Sequence, residues 1–210
     1  MKPAQPIKFY GFKLSGHSHR AEVMLKLLQL PYEFKLVDLA GGEQKAPAFL
    51  KLNPFGTVPV IDDNGTVIAD SAAILVYLAQ AYDDSRTWFP TDPVKAAQVQ
   101  RWLSVAQGPV FNGPCSARLV TVFNAPLDYE RAQKTSYALF DVLNRELADK
   151  TFLVGTGPTV ADIALYSYIA HAPEGGVSLA DYPQIRAWLA RVETLPHFEP
   201  MPSTKAGLLA

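Results

Sequence analysis

The sequence predicts two domains joined by a linker: an α/β domain over residues 1–82, a linker over 83–93 and an all-α domain over 94–210. Three observations predict this division. Short apolar runs of strand length alternate with helical stripes early in the chain. A polar, proline-bearing segment, DDSRTWFPTDP, interrupts that pattern, and only helical stripes follow it. With 49% hydrophobic residues, the 210-residue chain has enough apolar surface for a packed core.

The first domain is predicted to have the order β-α-β-(α)-β-β-α. An apolar run at 7–12 and a helical stripe at 21–28 indicate a strand, a turn and a helix. The alternating segment 32–39 follows a connection of helix length, so it should lie parallel to the first strand. Two further strands are joined by residues 63–65, whose Asn-Gly pair favours a tight antiparallel hairpin. An apolar stripe over 74–82 predicts the closing helix.

The second domain shows helical stripes and no convincing strand. The stripes lie at 94–107, 132–147, 159–170 and 185–192. Gly108-Pro109 and Gly113-Pro114 predict a kink or break after the first stripe, because proline removes a backbone donor and disfavours helix at the residue before it. Thr159 and Asp162 have the spacing of a capping box, which assigns Asp162 to stability rather than to chemistry.

The composition excludes several classes of function. The formal charge is −1, from 19 basic and 20 acidic residues scattered along the chain. The sequence therefore offers no positive electrostatic potential that would attract nucleic acid or an anionic membrane. No apolar stretch approaches the roughly 18 residues of a membrane span, and the segment MKPAQPIKFY lacks a signal-peptide core. The single cysteine, Cys115, excludes an internal disulfide and a CxxC pair. We expect a soluble, cytoplasmic protein without a metal, whose partners are small molecules.

Two helix starts are candidate anion sites. The turn LSGHSHRAE (14–22) places two serines and two histidines at the mouth of the first helix. Unpaired N–H groups and the positive end of the helix dipole favour a small anionic group there. Asp70 and Ser71, at the start of the closing helix, suit the carboxylate and ammonium of an amino-acid group. Simple capping is the alternative at both places, since Ser and Asp are preferred N-caps.

Three segments carry a resemblance to a known family. NPFGTVPVI (53–61), ADSAAILVYLAQAY (69–82) and GPTVADIALYSYI (157–169), in this order and spacing, resemble the cytosolic glutathione transferases. The resemblance spans nearly the whole chain. It implies a thioredoxin-like first domain, an all-helical second domain, glutathione as co-substrate, a homodimer and a role in detoxification. Because it has a serine in the first turn, the chain resembles bacterial members and the theta and phi classes more than the classes that use a tyrosine.

The resemblance also implies where glutathione binds. The bond between Val58 and Pro59 is cis in this family, which would leave the backbone of Val58 free to pair with the extended tripeptide. A plain strand-entry proline is the alternative. Asp70 and Ser71 would then hold the γ-glutamyl end.

The glycine carboxylate of glutathione would lie in the segment before Val58. Gln44 and Lys45 stand where the family places residues for this carboxylate, with solvated surface as the alternative for the lysine. Thr57 stands where the family has a longer Gln or Lys, and it completes the candidate set.

Ser15 is the candidate that acts on sulfur. A thioredoxin carries redox cysteines in this turn, whereas SGHS leaves a hydroxyl and no thiol. Because the thiolate of glutathione is the nucleophile, a hydrogen bond from Ser15 to sulfur would favour the reactive form. His17, Ser18 and Tyr10 are the alternatives for this role. Ser18 is expected to be the helix N-cap, and Arg20 to serve the fold.

The electrophile should bind in the cleft between the two domains. The expected wall consists of Phe12, His17, Trp102, Phe111 and Tyr166. Each aromatic side chain could instead pack in the core, which is the commoner role of aromatic residues at helical spacing. Phe55, on the turn before the second pair of strands, is predicted to enter a pocket of a second subunit or of its own domain.

We therefore predict a glutathione S-transferase that joins the glutathione thiolate to a small hydrophobic electrophile. A glutathione-dependent peroxidase, dehalogenase or isomerase at the same site is the alternative among enzymes. A non-enzymatic ligand-binding or scaffold protein of the same fold is the alternative outside them.

Overall fold

The computed structural model describes residues 2–204, which contain one four-stranded sheet. Its strands are β1 (Ile7–Gly11), β2 (Tyr32–Leu36), β3 (Val60–Asp63) and β4 (Thr66–Ala69), in the spatial order β2-β1-β3-β4. β2 lies parallel to β1, whereas β3 is antiparallel to both β1 and β4. The predicted α/β first domain and the directions of its strands are confirmed.

The sheet buries one face of β1 under helices. Ile7 and Phe9 are fully buried in the main core, and the register places Phe9 opposite Phe34 of β2. Tyr10 points to the other face, where its ring lies 6.5 Å from that of Phe49. The hairpin between β3 and β4 turns through Asn64 and Gly65, which both have positive φ (51° and 92°), as a tight Asn-Gly turn requires.

Eight α-helices accompany the sheet within the described residues. They are α1 (Gly16–Leu27), α2 (Pro47–Leu50), α3 (Ser71–Tyr82), α4 (Pro93–Gln107), α5 (Ser116–Phe123), α6 (Tyr129–Glu146), α7 (Val160–Ala170) and α8 (Pro183–Glu193). Short 3₁₀ turns occupy Glu43–Lys45 and Ala172–Gly175. The all-α character of the second domain is confirmed. The domain boundaries at 82 and 93 stay predictions.

The chain leaves helical geometry at both predicted interruptions. Gly108 has ψ −95°, and Gly113 has φ −103° and ψ −107° inside a π-helical turn over Phe111–Cys115. A Cβ on Gly113 would lie 3.1 Å from the backbone nitrogen of Ser136, so glycine lets α6 approach closely. The separate helix α5 was not predicted, because eight residues are too few to show a recognisable stripe.

Helix α7 joins the two halves of the molecule. Ten of its eleven residues are buried, and it packs against α1 and α3 on one side and against α4 and α8 on the other. Because α7 is apolar on every side, one continuous core runs through both halves. Among residues 2–204, no helix combines the length and the apolar character that a membrane crossing needs.

The predicted capping box at the start of α7 is confirmed and extends further into the core. Thr159 Oγ1 accepts from the Ala161 N–H (3.3 Å), and Asp162 Oδ2 accepts from the Thr159 N–H (2.8 Å). Asp162 Oδ1 accepts from the Leu153 N–H (3.0 Å) and from the Trp188 indole (2.9 Å). Asp162 is fully buried, so its carboxylate satisfies donors that water cannot reach.

Replacing Asp162 by alanine should destabilise the protein far more than the loss of an ordinary cap. The variant removes the acceptor of four buried donors, the N–H groups of Leu153 and Thr159, the Thr159 hydroxyl and the Trp188 indole, and we expect the free energy of unfolding to fall by at least about 3 kcal/mol. Asp128→Ala is the matched control, because Asp128 caps α6 through the Arg131 N–H (3.0 Å) in an exposed position. That variant should lose only about 1 kcal/mol in urea unfolding. Equal losses would contradict the buried role of Asp162.

Candidate active site

Ser15 is the N-cap of α1. Its backbone is extended (φ −87°, ψ 117°), and its Oγ accepts from the Ser18 N–H at 3.2 Å. The expectation that Ser18 caps the helix is therefore wrong. The helix begins at Gly16, which places Ser18 inside its first turn, where the buried hydroxyl accepts from the Phe12 N–H at 3.1 Å.

The hydroxyl of Ser15 keeps a proton to donate. Within residues 2–204 its one side-chain hydrogen bond is the one it accepts from Ser18, and the residue is half-buried at the end of the turn. A hydroxyl donates one hydrogen bond and accepts up to two, so capping and donation to a ligand are compatible. Ser15 thus adds a donor to the positive end of α1.

A cluster of three side chains lies behind this turn. Arg20 is fully buried, and its Nη1 donates to His17 Nδ1 (3.0 Å) and to Ser71 Oγ (3.3 Å), which are themselves 3.0 Å apart. Because arginine can only donate, Nδ1 of His17 is unprotonated and the ring hydrogen is on Nε2. Burial, and then the charge of Arg20, lower the pKa of His17 well below its usual value, so the ring is neutral at neutral pH.

Arg20 carries a buried charge that forms no direct ion pair within residues 2–204, although the Asp70 carboxylate acts on it from a distance. Burial lowers the pKa of its guanidinium, yet arginine remains protonated near neutral pH. Its Nε and Nη2 are buried without a hydrogen-bond partner, and no carboxylate within residues 2–204 forms an ion pair with it. Sequence reasoning assigned Arg20 to the fold. Its missing counter-charge, which only the three-dimensional structure reveals, makes it a candidate anion ligand.

Asp70 is the N-cap of α3 and adjoins this cluster through Ser71. Its Oδ1 accepts from the N–H groups of Ala72 (2.9 Å) and Ala73 (3.0 Å), and its Oδ2 accepts from Gln107 Nε2 (2.8 Å). Its φ is 76°, a backbone region that residues other than glycine rarely adopt and that is frequent at functional sites. Both the capping geometry and an exposed carboxylate beside Ser71 are therefore present.

The backbone around Val58 is free to pair. The Val58–Pro59 bond is cis, as the resemblance implied. The ladder between β1 and β3 begins only at Val60, and within the described residues Val58 makes no backbone–backbone hydrogen bond. Val58 is half-buried, whereas Pro59 is buried.

The three other glutathione candidates lie along the loop before Val58. Lys45 Nζ donates to the Phe55 carbonyl at 3.0 Å, and Gln44 Oε1 is buried without a partner. Thr57 is turned toward Asn53, whose Nδ2 donates to the Thr57 carbonyl (2.8 Å) and to its Oγ1 (3.0 Å). Gln44 thus retains an unused polar atom, while Thr57 is engaged within its own loop.

Of the five residues predicted to line the electrophile cleft, Phe12, His17 and Phe111 lie at the turn that contains Ser15. The Phe111 ring lies 6.0 Å from that of His17 and is 40% exposed, and half-buried Phe12 lies 6.5 Å from Phe123. Phe123 is also 40% exposed, and sequence reasoning missed it because α5 was not predicted. Exposed aromatic surface therefore flanks the N-terminus of α1.

Trp102 and Tyr166 do not belong to this wall, which corrects the sequence-based expectation. They expose only 3% and 2% of their surface, so both are core residues. The Tyr166 hydroxyl donates to Glu193 Oε1 at 2.6 Å, and its ring packs 4.8 Å from that of Phe198. The core alternative was therefore the correct interpretation for these two.

The thiol of Cys115 and the hydroxyl of Tyr10 are poorly placed to act on the sulfur of a ligand. Cys115 is buried, and burial raises the pKa of its thiol to about 11. Tyr10 faces the side of the sheet opposite to Phe9, away from the core into which α1 packs. Among residues 2–204, no three His, Cys, Asp or Glu side chains are grouped as a metal site.

A groove of about 840 Å³ runs between α3 and α4. Ile68, Ala72, Val76, Tyr77 and Leu103 give it a largely apolar lining, with Asp70 and Gln107 at one end. Asp70 is the only predicted ligand residue in it, so this groove is distinct from the aromatic surface at Phe12 and Phe111.

Two family models match this chain. The model of the glutathione S-transferase N-terminal domain matches residues 14–81, and that of the C-terminal domain matches residues 118–196. Glutathione S-transferase D7 of Drosophila melanogaster is 28% identical over 184 residues, which are 87% of this chain and 82% of that protein.

Solved structures agree over almost the whole length. The crystal structure of a glutathione S-transferase from Pseudomonas fluorescens Pf-5 is 36% identical with a TM-score of 0.89, over 95% of this chain and 100% of that one. A glutathione transferase homologue from Drosophila mojavensis, solved with bound glutathione, is 32% identical with a TM-score of 0.80, over 91% of this chain and 89% of that one.

Proposed function

The chain belongs to the glutathione S-transferase family of enzymes, and from that premise we propose that it joins the sulfur of glutathione to a hydrophobic electrophile, with Ser15 stabilising the thiolate. One observation carries the proposal: a hydroxyl with an unused proton caps α1, and the same helix carries a buried arginine, Arg20, with two unpaired donors. In the reaction, the thiol proton passes to solvent and the thiolate sulfur attacks an electrophilic carbon. As the C–S bond forms, either the bond to a leaving group breaks and that group departs with its electron pair, or the π bond of an activated alkene breaks and the resulting carbanion takes a proton from solvent. The protein stabilises negative sulfur and orients it.

The energy required lies within the reach of these groups. Lowering the thiol pKa of bound glutathione by about two units corresponds to about 2.7 kcal/mol. One charge-assisted hydrogen bond contributes about 1.5–3 kcal/mol, and a helix N-terminus adds about 0.3–1 kcal/mol. Because the Ser18 N–H already donates to Oγ of Ser15, polarisation along this chain strengthens the donation to sulfur.

Arg20, Ser71 and Asp70 would hold the γ-glutamyl end. The buried charge of Arg20 lacks a counter-ion, and an incoming carboxylate supplies one. Ser71 lies between the guanidinium and the start of α3, and its hydroxyl can bond the same carboxylate by turning its proton away from His17 Nδ1, which keeps the bond it accepts from Arg20. The exposed carboxylate of Asp70 keeps lone pairs for the ammonium beyond those used by its cap.

The rest of glutathione would follow the loop toward Val58. The unpaired backbone of Val58 can pair with the extended peptide as an added strand. Lys45 would supply a positive charge for the glycine carboxylate, and Gln44 would supply the second hydrogen of its Nε2, whose first donates to the Leu39 carbonyl (3.4 Å), while Thr57 contributes only the shape of the loop. The bound glutathione of the Drosophila mojavensis homologue supports glutathione as the ligand. The electrophile would contact Phe12, Phe111 and His17.

Ser15→Ala should raise the pKa of the bound glutathione thiol and lower turnover by about one to three orders of magnitude, because the donor to sulfur is lost. The dissociation constant for glutathione should barely change. Loss of the cap should also cost about 1 kcal/mol of stability. Thiolate absorbance titrations and steady-state rates measure the first two effects, with Ser15→Thr as a control that keeps a hydroxyl. An unchanged thiol pKa and rate in the alanine variant would remove Ser15 from the mechanism.

Ser71→Ala and Asp70→Ala should each weaken glutathione binding about tenfold, because they hold its γ-glutamyl end, and should leave the thiol pKa of the bound form unchanged. Asp92→Ala is the matched control for Asp70, since Asp92 caps α4 through the Lys95 N–H (2.9 Å) and lies on no candidate site. Both Asp variants lose a cap, but only Asp70→Ala should change calorimetric binding. Equal affinities in the two would assign Asp70 to capping alone.

We also propose a homodimer formed across the groove between α3 and α4. Phe55 is 83% exposed, so the alternative that it enters its own domain is wrong. Its loop is held in place by Asn53, whose Oδ1 accepts from the Phe55 N–H at 3.1 Å. A rigid exposed aromatic side chain and an apolar groove on one chain are complementary features of a two-fold interface. We propose a cytoplasmic location as well, because the sequence resembles the cytosolic glutathione transferases.

Phe55→Ser should shift the protein toward monomer by at least about tenfold in the dimer dissociation constant, because an aromatic anchor is lost. Leu36→Ser is the control, as Leu36 is 62% exposed on β2, at the opposite edge of the sheet from β4. Sedimentation over a wide concentration range gives the dimer dissociation constant of each variant, and activity is measured on the same samples. A fully active monomeric wild type at micromolar concentration would contradict the dimer.

A further inference from the structure

The peptide group between Leu14 and Ser15 is bonded at both of its ends. The Ser15 N–H donates to the Phe12 carbonyl at 3.0 Å, which closes the turn. The Leu14 carbonyl accepts from Nη1 of Arg118 at 2.8 Å, and Arg118 lies on α5, 104 residues further along the chain. The plane of this peptide group is therefore set by one local bond and one bond from the all-α half.

Arg118 is itself held by a buried carboxylate. Its Nε donates to Glu174 Oε2 at 2.6 Å, and both side chains are 1% exposed. Glu174 Oε1 accepts from His171 Nδ1 (2.7 Å) and from the Thr204 N–H (3.0 Å). Burial raises the pKa of Glu174, but the hydrogen bonds from Thr204, His171 and Arg118 outweigh it and lower the pKa overall, so the carboxylate is ionised.

Backbone packing leaves the guanidinium little room to move. A Cβ on Gly175 would lie 2.7 Å from the backbone nitrogen of Arg118, so the turn that carries Glu174 sits directly against α5. Thr121 Oγ1 also donates to the Glu174 carbonyl at 2.6 Å. Helix α5 and this turn therefore present Arg118 to Leu14 as one rigid unit.

We propose that Arg118, oriented by Glu174, is a positioning residue that aims the hydroxyl of Ser15 at the sulfur by holding the Leu14–Ser15 peptide plane. The inference rests on the role proposed for Ser15. A change in φ of Ser15 that is not compensated by ψ of Leu14 turns the chain of residues 12–14 relative to α1, and with it the Cα–Cβ bond of Ser15 relative to the turn against which the sulfur would lie. Because hydrogen bonds weaken steeply away from linearity, a small rotation weakens donation to sulfur.

A plain structural role makes a different prediction. A buried ion pair by itself is weak evidence for stability, and removing one partner is costly mainly because the other charge stays unpaired. Removing both charges together therefore separates stability from positioning. In Arg118→Met combined with Glu174→Gln, the amide oxygen of the new residue can still accept from His171 and Thr204, whereas the bond to Leu14 is lost.

The experiment titrates the thiolate absorbance of bound glutathione and measures kcat, the dissociation constant for glutathione and Tm. The double variant should keep a Tm near that of the wild type and bind glutathione within about threefold, because the peptide ligands are intact. Its bound thiol pKa should rise by about one unit and kcat should fall about tenfold. Arg118→Lys keeps the charge opposite Glu174, but one ammonium cannot span both partners, so it should show the same direction of change.

Arg101→Met is the matched control, because Arg101 forms an ion pair with Glu146 at the surface (3.6 Å) and should leave every readout unchanged. A stable double variant with wild-type thiol pKa and kcat would overturn the proposal. Loss of stability in the double variant with an unchanged bound thiol pKa in Arg118→Lys would also overturn it, in favour of a structural role. An unchanged thiol pKa in Ser15→Ala would contradict the proposed role of Ser15 itself, and that conclusion does not depend on the results for the Arg118 variants.

Discussion

The burial of α1 is the constraint on which the rest of the structure depends. The helix lies between the sheet and α7, and nine of its twelve residues are buried, including three ionisable ones. Each buried polar group needs a partner. His19 finds Ser167 Oγ and the Glu199 carbonyl, both at 2.8 Å, and burial lowers its pKa to about 4, so it is neutral at pH 7. The N-terminal turn at Ser15 stays accessible, and there the dipole and free donors are left for a ligand.

Two buried arginines on the two sides of this turn differ in how their charge is balanced. Arg118 meets Glu174, so its charge is compensated within the protein. Within residues 2–204, Arg20 contacts three neutral side chains, His17, Ser71 and the Tyr168 ring (5.3 Å from the guanidinium carbon), and two of its donors are unused. Since an uncompensated buried charge is costly, Arg20 lowers stability unless an anion completes it. Under the proposed function, the first arginine would orient the turn and the second would receive the anionic end of the substrate.

Local rules accounted for much of the fold. The Asn64-Gly65 hairpin, the parallel pairing of β1 and β2, the break near Gly113 and the capping box of Asp162 each follow from neighbouring residues or from chain connectivity. The predictions that were missed or wrong concern features that local sequence does not record. Helix α5 is too short to show a period, and whether an aromatic side chain such as Trp102 or Tyr166 faces a cleft or the core depends on helices distant in sequence.

The sequence by itself determined the fold class, the family resemblance and the serine in the first turn, because these depend on hydrophobic period, turn chemistry and motif spacing. Only the tertiary structure decided that Ser15, and not Ser18, caps α1, since one turn of helix more or less changes no apolar stripe. It also decided the states of Arg20 and Arg118. Whether a charge is paired depends on which residue lies against it in the folded chain, and a separation of 51 residues (Arg20 to Ser71) or 56 residues (Arg118 to Glu174) leaves no trace in local pattern.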